Sequence, residues 1–322
     1  MKVFVTGVAG QLGHDVVNEL YARGHEGVGS DIAPSYSGVQ DGSHVVTAPY
    51  VSLDITDGAA VSEALLRLKP DAVIHCAAWT AVDLAEDPGK RERVFAINEQ
   101  GTRHIAQACK DLDVPMLYLS TDYVFDGQGT DPWKPDCTSY APLNVYGESK
   151  LAGEKAVTSL LEKFFIVRIA WVFGKNGNNF IKTMLKIGKD HPQLRVVDDQ
   201  IGTPTYTLDL AVLLVSMIES GRYGFYHATN EGGYISWYDF ASEIFRQAAE
   251  AGHPEYGPDH LTVTPVSTEE YGVSKAKRPF NSRLDKSKLT ENGFALLPDW
   301  KDALKRYLDE IQIQKKHRGY IM

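Results

Sequence analysis

The first half of the chain alternates short apolar segments with amphipathic segments, and this alternation limits the fold more than any other feature. The apolar segments have the length of buried strands, whereas the segments between them carry apolar residues at helical spacing, as Leu12, Val16 and Leu20 do. Strands that alternate with helices form a parallel sheet with helices on both faces. The sequence therefore predicts an α/β protein with a doubly wound parallel sheet. The predicted strands are Lys2–Thr6, Gly27–Asp31, Val51–Asp54, Ala72–Ala78, Met116–Asp122 and Phe164–Ala170.

Three glycines, Gly7, Gly10 and Gly13, join the first predicted strand to the first predicted helix with the spacing G-x-x-G-x-x-G. Each has a use in binding a dinucleotide: Gly7 permits a tight turn, Gly10 lets the backbone approach a pyrophosphate, and Gly13 lets helix and strand pack closely. The helix N-terminus presents free N–H groups and a positive dipole end to phosphates. Ordinary turns also contain such glycines, so the strand before the loop and the helix after it carry the prediction.

Asp31 ends the second predicted strand, 24 residues after Gly7, where dinucleotide-binding units carry an acid for the adenosine ribose. Its carboxylate would accept a hydrogen bond from the ribose 2′-hydroxyl and repel a 2′-phosphate. Residues 32–50 contain no Lys or Arg that would receive such a phosphate. The sequence therefore favours NADH over NADPH as the cofactor, and the alternative interpretation of Asp31 is a turn residue before Pro34.

The remaining pattern predicts two lobes. We expect a Rossmann-type dinucleotide-binding domain over residues 1–170, with segments at about 200–230 as candidates for returning to it. Residues 171–322 are more irregular and predict a smaller C-terminal α/β lobe that binds the substrate. Further helices are predicted from Val61 to Leu68, Lys90 to Leu112, Tyr146 to Leu161 and Leu208 to Ser220.

Tyr146 and Lys150 stand four residues apart, which places them on one face of a predicted helix. Reducing a ketone requires a proton for the developing alkoxide, and a tyrosine with a pKa of about 10 gives one poorly unless positive charge lowers that pKa. Lys150 would supply the charge and hold the nicotinamide ribose. The pattern recurs at Tyr271 and Lys275, so position decides between the two. Tyr146 follows the fifth strand at the edge where such sheets bind ligands, and we predict it as the proton donor.

Thr121 ends the fifth predicted strand, and its hydroxyl would donate a hydrogen bond to the same substrate oxygen. Ser120 is the alternative donor, and β-propensity alone would also explain a threonine at this position. With Tyr146 and Lys150, Thr121 forms the predicted catalytic set of a ketone reductase.

Further motifs run along nearly the whole chain: Asp54-Ile55, Ala77-Ala78-Trp79-Thr80, Asn98, STDYVFDG at 120–127, PLNVYGESK at 142–150, GNNF at 177–180, DQIGTPT at 199–205 and RPFNS at 278–282. Together with the glycine loop they resemble the family of dTDP-4-dehydrorhamnose reductases, which are extended short-chain dehydrogenases/reductases.

The resemblance implies an enzyme that reduces the 4-keto group of dTDP-4-dehydro-L-rhamnose to give dTDP-L-rhamnose, a precursor of bacterial surface polysaccharide, with NADH or NADPH. It implies substrate contacts at Thr121, Asp122 and Trp171, with Trp171 against the sugar. The residues it implies for the cofactor, taken with the loop glycines, are Gly7, Gly10, Gln11, Leu12, Gly13, Asp31, Asp54, Ile55, Ala77, Ala78, Trp79, Thr80, Tyr146 and Lys150.

A nucleotide diphosphate requires cations or helix N-termini. Among Lys182, Lys186, Arg278 and Arg283 of the second lobe, Arg278 is the predicted phosphate contact, with bracing of a loop before Pro279 as the alternative. Some members of the family use Mg²⁺ in dimerisation, but no ligand cluster in this sequence indicates a metal site. The sequence does not distinguish a monomer from a homodimer.

Composition excludes several classes of partner. The net charge of -9 would repel a nucleic-acid backbone, so we predict no nucleic-acid partner. The apolar run Leu210–Ile218 is far shorter than the ~20 residues that cross a membrane, so we predict no membrane span. Met1–Gly7 lacks the apolar core of a secretory signal, and we expect a cytoplasmic protein. The cysteines, Cys76, Cys109 and Cys137, form no CxxC motif or disulfide framework.

Three alternative functions share this fold. Nucleotide-sugar dehydratases carry Thr-Asp-Glu after the fifth strand, where this chain has Thr121-Asp122-Tyr123. The missing glutamate disfavours the elimination of water. A nucleotide-sugar epimerase could use the same Thr, Tyr and Lys. The chain also resembles the regulatory subunit of methionine adenosyltransferase, which binds a dinucleotide, although Trp171 and the PLNVYGESK segment favour an enzyme.

Overall fold

The structure is a computed structural model that describes residues 1–272 and 274–311. Strands alternate with helices through the first half of the chain, as predicted. The strands are β1 (Lys2–Thr6), β2 (Glu26–Asp31), β3 (Tyr50–Ser52), β4 (Ala72–His75), β5 (Met116–Thr121), β6 (Phe164–Ile169), β7 (Val172–Phe173), β8 (Gln193–Val197), β9 (Ile201–Gly202), β10 (Thr205–Tyr206), β11 (Gly224–His227), β12 (Asn230–Glu231), β13 (Ile235–Ser236), β14 (Thr262–Val266) and β15 (Leu297–Asp299).

The helices pack on both faces of the strands and build much of the second lobe. They are α1 (Gln11–Ala22), α2 (His44–Thr47), α3 (Gly58–Leu68), α4 (Val82–Ala85), α5 (Arg91–Phe95), α6 (Thr102–Leu112), α7 (Val145–Leu160), α8 (Phe180–Asp190), α9 (Thr207–Ser220), α10 (Trp237–Glu250), α11 (Thr268–Tyr271), α12 (Ser287–Glu291) and α13 (Trp300–Glu310).

Seven strands form the central sheet in the order β11-β6-β5-β4-β1-β2-β3, and every neighbouring pair is parallel. The chain runs outward from β1 through β2 to β3, then returns to β4 on the other side of β1. The carboxyl ends of β1 and β4 lie where the strand order reverses, which is where open α/β sheets bind ligands. The predicted doubly wound parallel sheet is confirmed.

The strand bounds differ from the prediction mainly at β4 and at the sheet edge. β4 ends at His75 rather than Ala78, because the backbone N–H of Ala77 donates to the hydroxyl of Thr6 instead of to a neighbouring strand. The seventh strand, β11, pairs with β6 and was not predicted individually. Its four residues are too few to show the alternation of apolar and polar side chains that would indicate a strand. The proposed domain boundary at residue 170 stays a prediction.

The helix predicted from Lys90 to Leu112 is confirmed as an unbroken helical segment over residues 91–112, but it is not α-helical throughout. A π-helical segment, Ala96–Gly101, separates α5 from α6. Within it, the buried amide of Asn98 accepts from the backbone N–H of Trp79 and donates to the Trp79 carbonyl and to the Ser149 hydroxyl. The wider turn fits this side chain between the loop after β4 and α7, and apolar spacing along the sequence gives no indication of it.

The second lobe packs α8, α10 and α13 around an aromatic core that includes Phe173, Phe240 and Tyr307. In contrast, α9 packs against the central sheet beside α1, through Leu210 and Leu214. No helix within residues 1–272 and 274–311 combines the length and the apolar character that a membrane crossing requires.

Candidate active site

A cleft of about 1200 Å³ opens between the carboxyl ends of the central strands and the second lobe. Residues from widely separated parts of the chain line it, including the loop after β1, the end of β5, the start of α7 and the segment after β6. Of the residues predicted for cofactor, catalysis and substrate, the structure brings together Gly7, Gly10, Gln11, Leu12, Gly13, Asp31, Asp54, Ile55, Ala77, Ala78, Thr80, Thr121, Asp122, Tyr146, Lys150, Trp171 and Arg278.

Trp79 is the predicted site residue that does not line this cleft among the described residues. Its indole N–H donates to the Ala81 carbonyl over 3.0 Å, while its backbone N–H and carbonyl are held by Asn98. Trp79 therefore shapes the loop after β4, and Ala78 and Thr80 bound the cleft on either side of it.

The glycine loop makes a tight connection between β1 and α1. Gly7 has φ +72, and a Cβ there would lie 2.7 Å from the Ala77 backbone nitrogen. At Gly13 a Cβ would collide with the Gly7 carbonyl. Gly10 is the N-cap of α1, and no described side chain caps that helix. The first N–H groups of α1 are therefore available to an anionic group in the cleft.

Asp31 and Asp54 stand at the same end of the cleft. The Asp31 carboxylate accepts from the backbone N–H groups of Ala9, over 3.1 Å, and Ile32, over 2.8 Å, which fix its orientation at the end of β2. Asp54 accepts from the backbone and hydroxyl of Thr56. Both carboxylates are held by neighbouring N–H or O–H groups, and neither forms an ion pair with a described cation.

Gln11 links the glycine loop to the second lobe. Its side-chain oxygen accepts from the backbone N–H of Gly174 over 2.8 Å and from the amide of Asn179 over 3.0 Å. Because these bonds join residues more than 160 positions apart, they fix the second lobe against the start of α1.

The three residues at the end of β5 are buried and differ in their hydrogen bonding. Thr121 donates to the carboxylate of Asp122 over 3.0 Å and accepts from the Tyr123 backbone N–H. Burial raises the pKa of Asp122 to about 6. The Ser120 hydroxyl is buried, lines the cleft and has no partner among the described residues. Ser120 therefore holds a free donor, whereas the proton of Thr121 is directed to Asp122.

Tyr146 and Lys150 occupy the first turns of α7, which begins where the Asn144 side chain accepts from the Gly147 N–H. The Tyr146 ring meets the edge of Tyr123, with ring centres 5.6 Å apart. Lys150 is buried, donates to the Leu119 carbonyl over 2.7 Å and lies 4.1 Å from the centre of the Tyr118 ring. Burial lowers the pKa of Lys150 to about 7.

The predicted lowering of the Tyr146 pKa by Lys150 is wrong for this structure. Burial raises the pKa of Tyr146 above its ordinary value, and the opposing contribution comes from the Thr121 hydroxyl rather than from Lys150. The cost of burying a phenolate dominates, and the Lys150 ammonium donates to a backbone carbonyl instead. The Tyr146 phenol therefore keeps its proton at neutral pH.

Trp171 also lines the cleft and has a backbone φ of +51, which bulky side chains rarely adopt. Its indole stacks on Trp237, with ring centres 3.8 Å apart and planes 17° apart. Arg278 also reaches the cleft, but its guanidinium donates to Asp83 over 2.7 Å and to the Tyr123 hydroxyl over 3.2 Å. These contacts match the alternative interpretation of Arg278 as a brace, and a phosphate contact stays a prediction.

Comparison with known proteins places this fold and site in a family. The family model described as RmlD substrate binding domain matches residues 1–313. The chain belongs to the RmlD family. This membership confirms the resemblance seen in the sequence motifs.

The relatives of this RmlD family member include proteins with solved structures. The dTDP-4-dehydrorhamnose reductase of Escherichia coli K12 is 39% identical over 264 residues, which cover 80% of this chain and 85% of the relative. A crystal structure of a dTDP-4-dehydrorhamnose reductase from Clostridium acetobutylicum matches with TM-score 0.84 and 38% identity, covering 97% of this chain and 100% of that one. Another from Bacillus anthracis, in complex with NADP, matches with TM-score 0.82 and 38% identity, covering 96% and 99%.

In this RmlD family chain the second Tyr–Lys match lies elsewhere. Tyr271 ends the short helix α11 and is 40% exposed, while Lys275 pairs with Asp87. Tyr271 and Lys275 therefore do not share a helical face, and neither lines the described cleft.

Sequence reasoning missed several residues of the RmlD family cleft. Trp237 and Phe180 follow helical spacing like core residues, so only the folded structure places them in the cleft. Arg93, an exposed cation on α5, also lines it. Arg93 lies far outside residues 32–50, the cation-free segment on which the predicted preference for NADH rests. Within residues 1–272 and 274–311, no cluster of His, Cys, Asp and Glu could hold a metal ion.

Proposed function

We propose that the chain reduces the 4-keto group of dTDP-4-dehydro-L-rhamnose to the hydroxyl of dTDP-L-rhamnose with a nicotinamide dinucleotide. One observation carries the proposal: a single cleft joins the glycine loop, the Thr121–Tyr146–Lys150 set and Trp171. The names of its RmlD family relatives support the substrate and the direction of the reaction.

The residues at the glycine-loop end of the cleft fit a nicotinamide dinucleotide. The uncapped start of α1 would receive the pyrophosphate, and the close packing of Gly7 on the Ala77 backbone holds the loop in the tight turn that precedes this helix. Asp31 would accept from the adenosine ribose, and the Lys150 ammonium would donate to the second ribose. When bound in its reduced form, this cofactor supplies the hydride that the keto carbon receives.

Tyr146 would give its phenolic proton to the keto oxygen as that oxygen becomes an alkoxide. Because its pKa is raised by burial, the phenol is protonated at neutral pH, as a proton donor must be. A protonated Lys150 would stabilise the phenolate that remains. Thr121 or Ser120 would donate a hydrogen bond to the same oxygen, and the partner-free hydroxyl of Ser120 makes it an equal candidate.

Substrate recognition would come from the second lobe and the segment before it. Trp171 would lie against the sugar, with Asp122 at the far side of the reacting carbonyl. Arg278 uses two of its N–H groups on Asp83 and Tyr123, and its remaining N–H groups would bind the diphosphate. We also propose NADH as the preferred cofactor, because the Asp31 carboxylate would repel a 2′-phosphate.

The decisive experiment incubates the purified protein with dTDP-4-dehydro-L-rhamnose and either NADH or NADPH. We expect one dinucleotide to be oxidised for each keto sugar consumed, and dTDP-L-rhamnose as the product by NMR. Isomerised sugar without net oxidation of the dinucleotide would indicate an epimerase instead. Dinucleotide binding without any turnover would indicate a regulatory protein, and either result would overturn the proposal.

A further inference from the structure

Trp171 holds an unfavourable backbone conformation at the edge of the cleft. Its φ of +51 lies in the left-handed region, which costs free energy for a bulky residue and persists only where the surroundings impose it. Such strain is often found where a side chain must point at a ligand. The neighbours that impose it are therefore part of how the cleft presents this indole.

Three neighbours of Trp171 restrain it. The Thr205 backbone N–H donates to the Trp171 carbonyl over 3.1 Å. Gly202 leaves space beneath the indole, since a Cβ there would lie 3.0 Å from Trp171 Cε2. The third neighbour is Trp237, whose ring covers the indole at 3.8 Å. Of the three, Trp237 is the one that restrains the ring itself through a broad side-chain contact.

Trp237 is itself held firmly in place. It is the first residue of α10, and Ser236 before it forms a capping box with Asp239. The Ser236 hydroxyl also donates to Asp198 over 2.7 Å. The strand pair of β13 with β9 sets Ile235 beside Gly202, which brings the start of α10 next to Trp171. Phe180 packs against the Trp237 ring, with centres 4.6 Å apart.

We infer that Trp237 is a positioning residue for substrate recognition: it fixes the Trp171 indole in the orientation that receives the sugar ring. This inference rests on the proposed function, because Trp171 is taken as the sugar contact. Trp237 belongs to the second lobe and lines the cleft beside Trp171. Its removal should therefore weaken binding of the nucleotide sugar and leave binding of the dinucleotide unchanged.

The test compares Trp237→Ala and Trp237→Phe with the wild-type protein. We expect Trp237→Ala to raise KM for the keto nucleotide sugar by about tenfold, as the loss of one aromatic stack predicts, with kcat changed less than threefold. Trp237→Phe keeps a stacking ring and should restore KM to within about threefold of wild type. The dissociation constant for NADH should not change. Circular dichroism gives a second readout, since the coupled signal of two stacked indoles should vanish in both variants.

Tyr238→Ala is the matched control, because Tyr238 is the next aromatic residue of α10 and lies outside the described cleft. It should leave KM for the nucleotide sugar unchanged. Unaltered KM in a folded Trp237→Ala protein would overturn the inference, as would equal effects of Trp237→Ala and Tyr238→Ala. If Trp237→Ala does not fold, an increase in KM of tenfold or more in Trp237→Phe would overturn it. Absence of wild-type turnover is a different result, which overturns the proposed function.

Discussion

The ammonium of Lys150 lies 2.7 Å from the carbonyl oxygen of Leu119, two residues before the end of β5. The bond holds a buried cation at the base of the cleft, in a place where burial lowers its pKa to about 7. The charge that this site offers to a bound molecule therefore depends on pH near neutrality.

We predict that binding of NADH weakens as the pH rises through about 7, because Lys150 is protonated below that pKa and neutral above it. One pH unit above the pKa, about a tenth of Lys150 remains charged, so the dissociation constant should rise up to about tenfold. Titration calorimetry at a series of pH values measures this. Lys150→Arg keeps its charge and should flatten the profile, whereas a flat wild-type profile would contradict the prediction.

Replacing the proposed proton donor should remove turnover and spare binding. We expect Tyr146→Phe to lower kcat by about 10²–10⁴, since the phenolic proton is lost while the ring remains against Tyr123. The dissociation constant for NADH, measured by fluorescence, should change little. Tyr271→Phe at the second Tyr–Lys match is the control and should retain wild-type kcat. A normal rate in Tyr146→Phe would rule out this role.

Charge at the end of β2 should set the choice between the two dinucleotides. We predict that Asp31→Asn raises kcat/KM for NADPH relative to NADH, because the amide removes the repulsion and its one carbonyl oxygen still accepts from either the Ala9 or the Ile32 N–H group. Steady-state rates with each cofactor test it. Arg93→Ala is the companion variant, since Arg93 is another charged residue of the cleft. An unchanged cofactor preference in Asp31→Asn, together with a loss of NADPH use in Arg93→Ala, would show that Arg93 and not Asp31 sets the choice between NADH and NADPH.

Six of the seven strands of the central sheet could be predicted, because short strand-like segments alternate regularly with amphipathic helices along this part of the chain. The loop from Gly7 to Gly13 and the Tyr146–Lys150 pair are also local patterns, and the fold brings them together at one sheet edge. The π-helical segment at Asn98 could not be predicted, because its cause is a buried hydrogen-bond network with Trp79 and Ser149 that is distant in sequence.

The predicted lowering of the Tyr146 pKa by Lys150 failed for a related reason. The spacing of Tyr146 and Lys150 shows that they share a helical face, but not that both are buried, and burial decides the direction of both pKa shifts. The stack of Trp171 on Trp237 joins residues 66 positions apart, and nothing in either local sequence distinguishes it from core packing.

A buried carboxyl next to the glycine loop should make stability depend on pH. Asp15, on α1, is 3% exposed and accepts from the Thr207 hydroxyl over 2.5 Å. Burial raises its pKa from 3.8 to about 7, an increase to which Glu310 and Asp41 also contribute. The folded protein therefore binds a proton at Asp15 that the unfolded chain releases between those two pH values.

The sign follows from this difference in proton binding. The stabilising contribution of protonated Asp15 is complete below pH 3.8 and is lost as the pH rises to about 7. We therefore predict that Asp15→Asn, which stays neutral and still accepts from Thr207, has a higher free energy of unfolding than wild type at pH values above the Asp15 pKa. The gain should reach at most about 4 kcal/mol, at ~1.4 kcal/mol for each pKa unit, and should shrink as the pH falls. Urea unfolding across this range measures it. Asp111→Asn, at an exposed position of α6, controls for the lost negative charge. Parallel profiles for wild type and Asp15→Asn would show that Asp15 titrates normally, and the burial of its carboxyl would then make no pH-dependent contribution to stability.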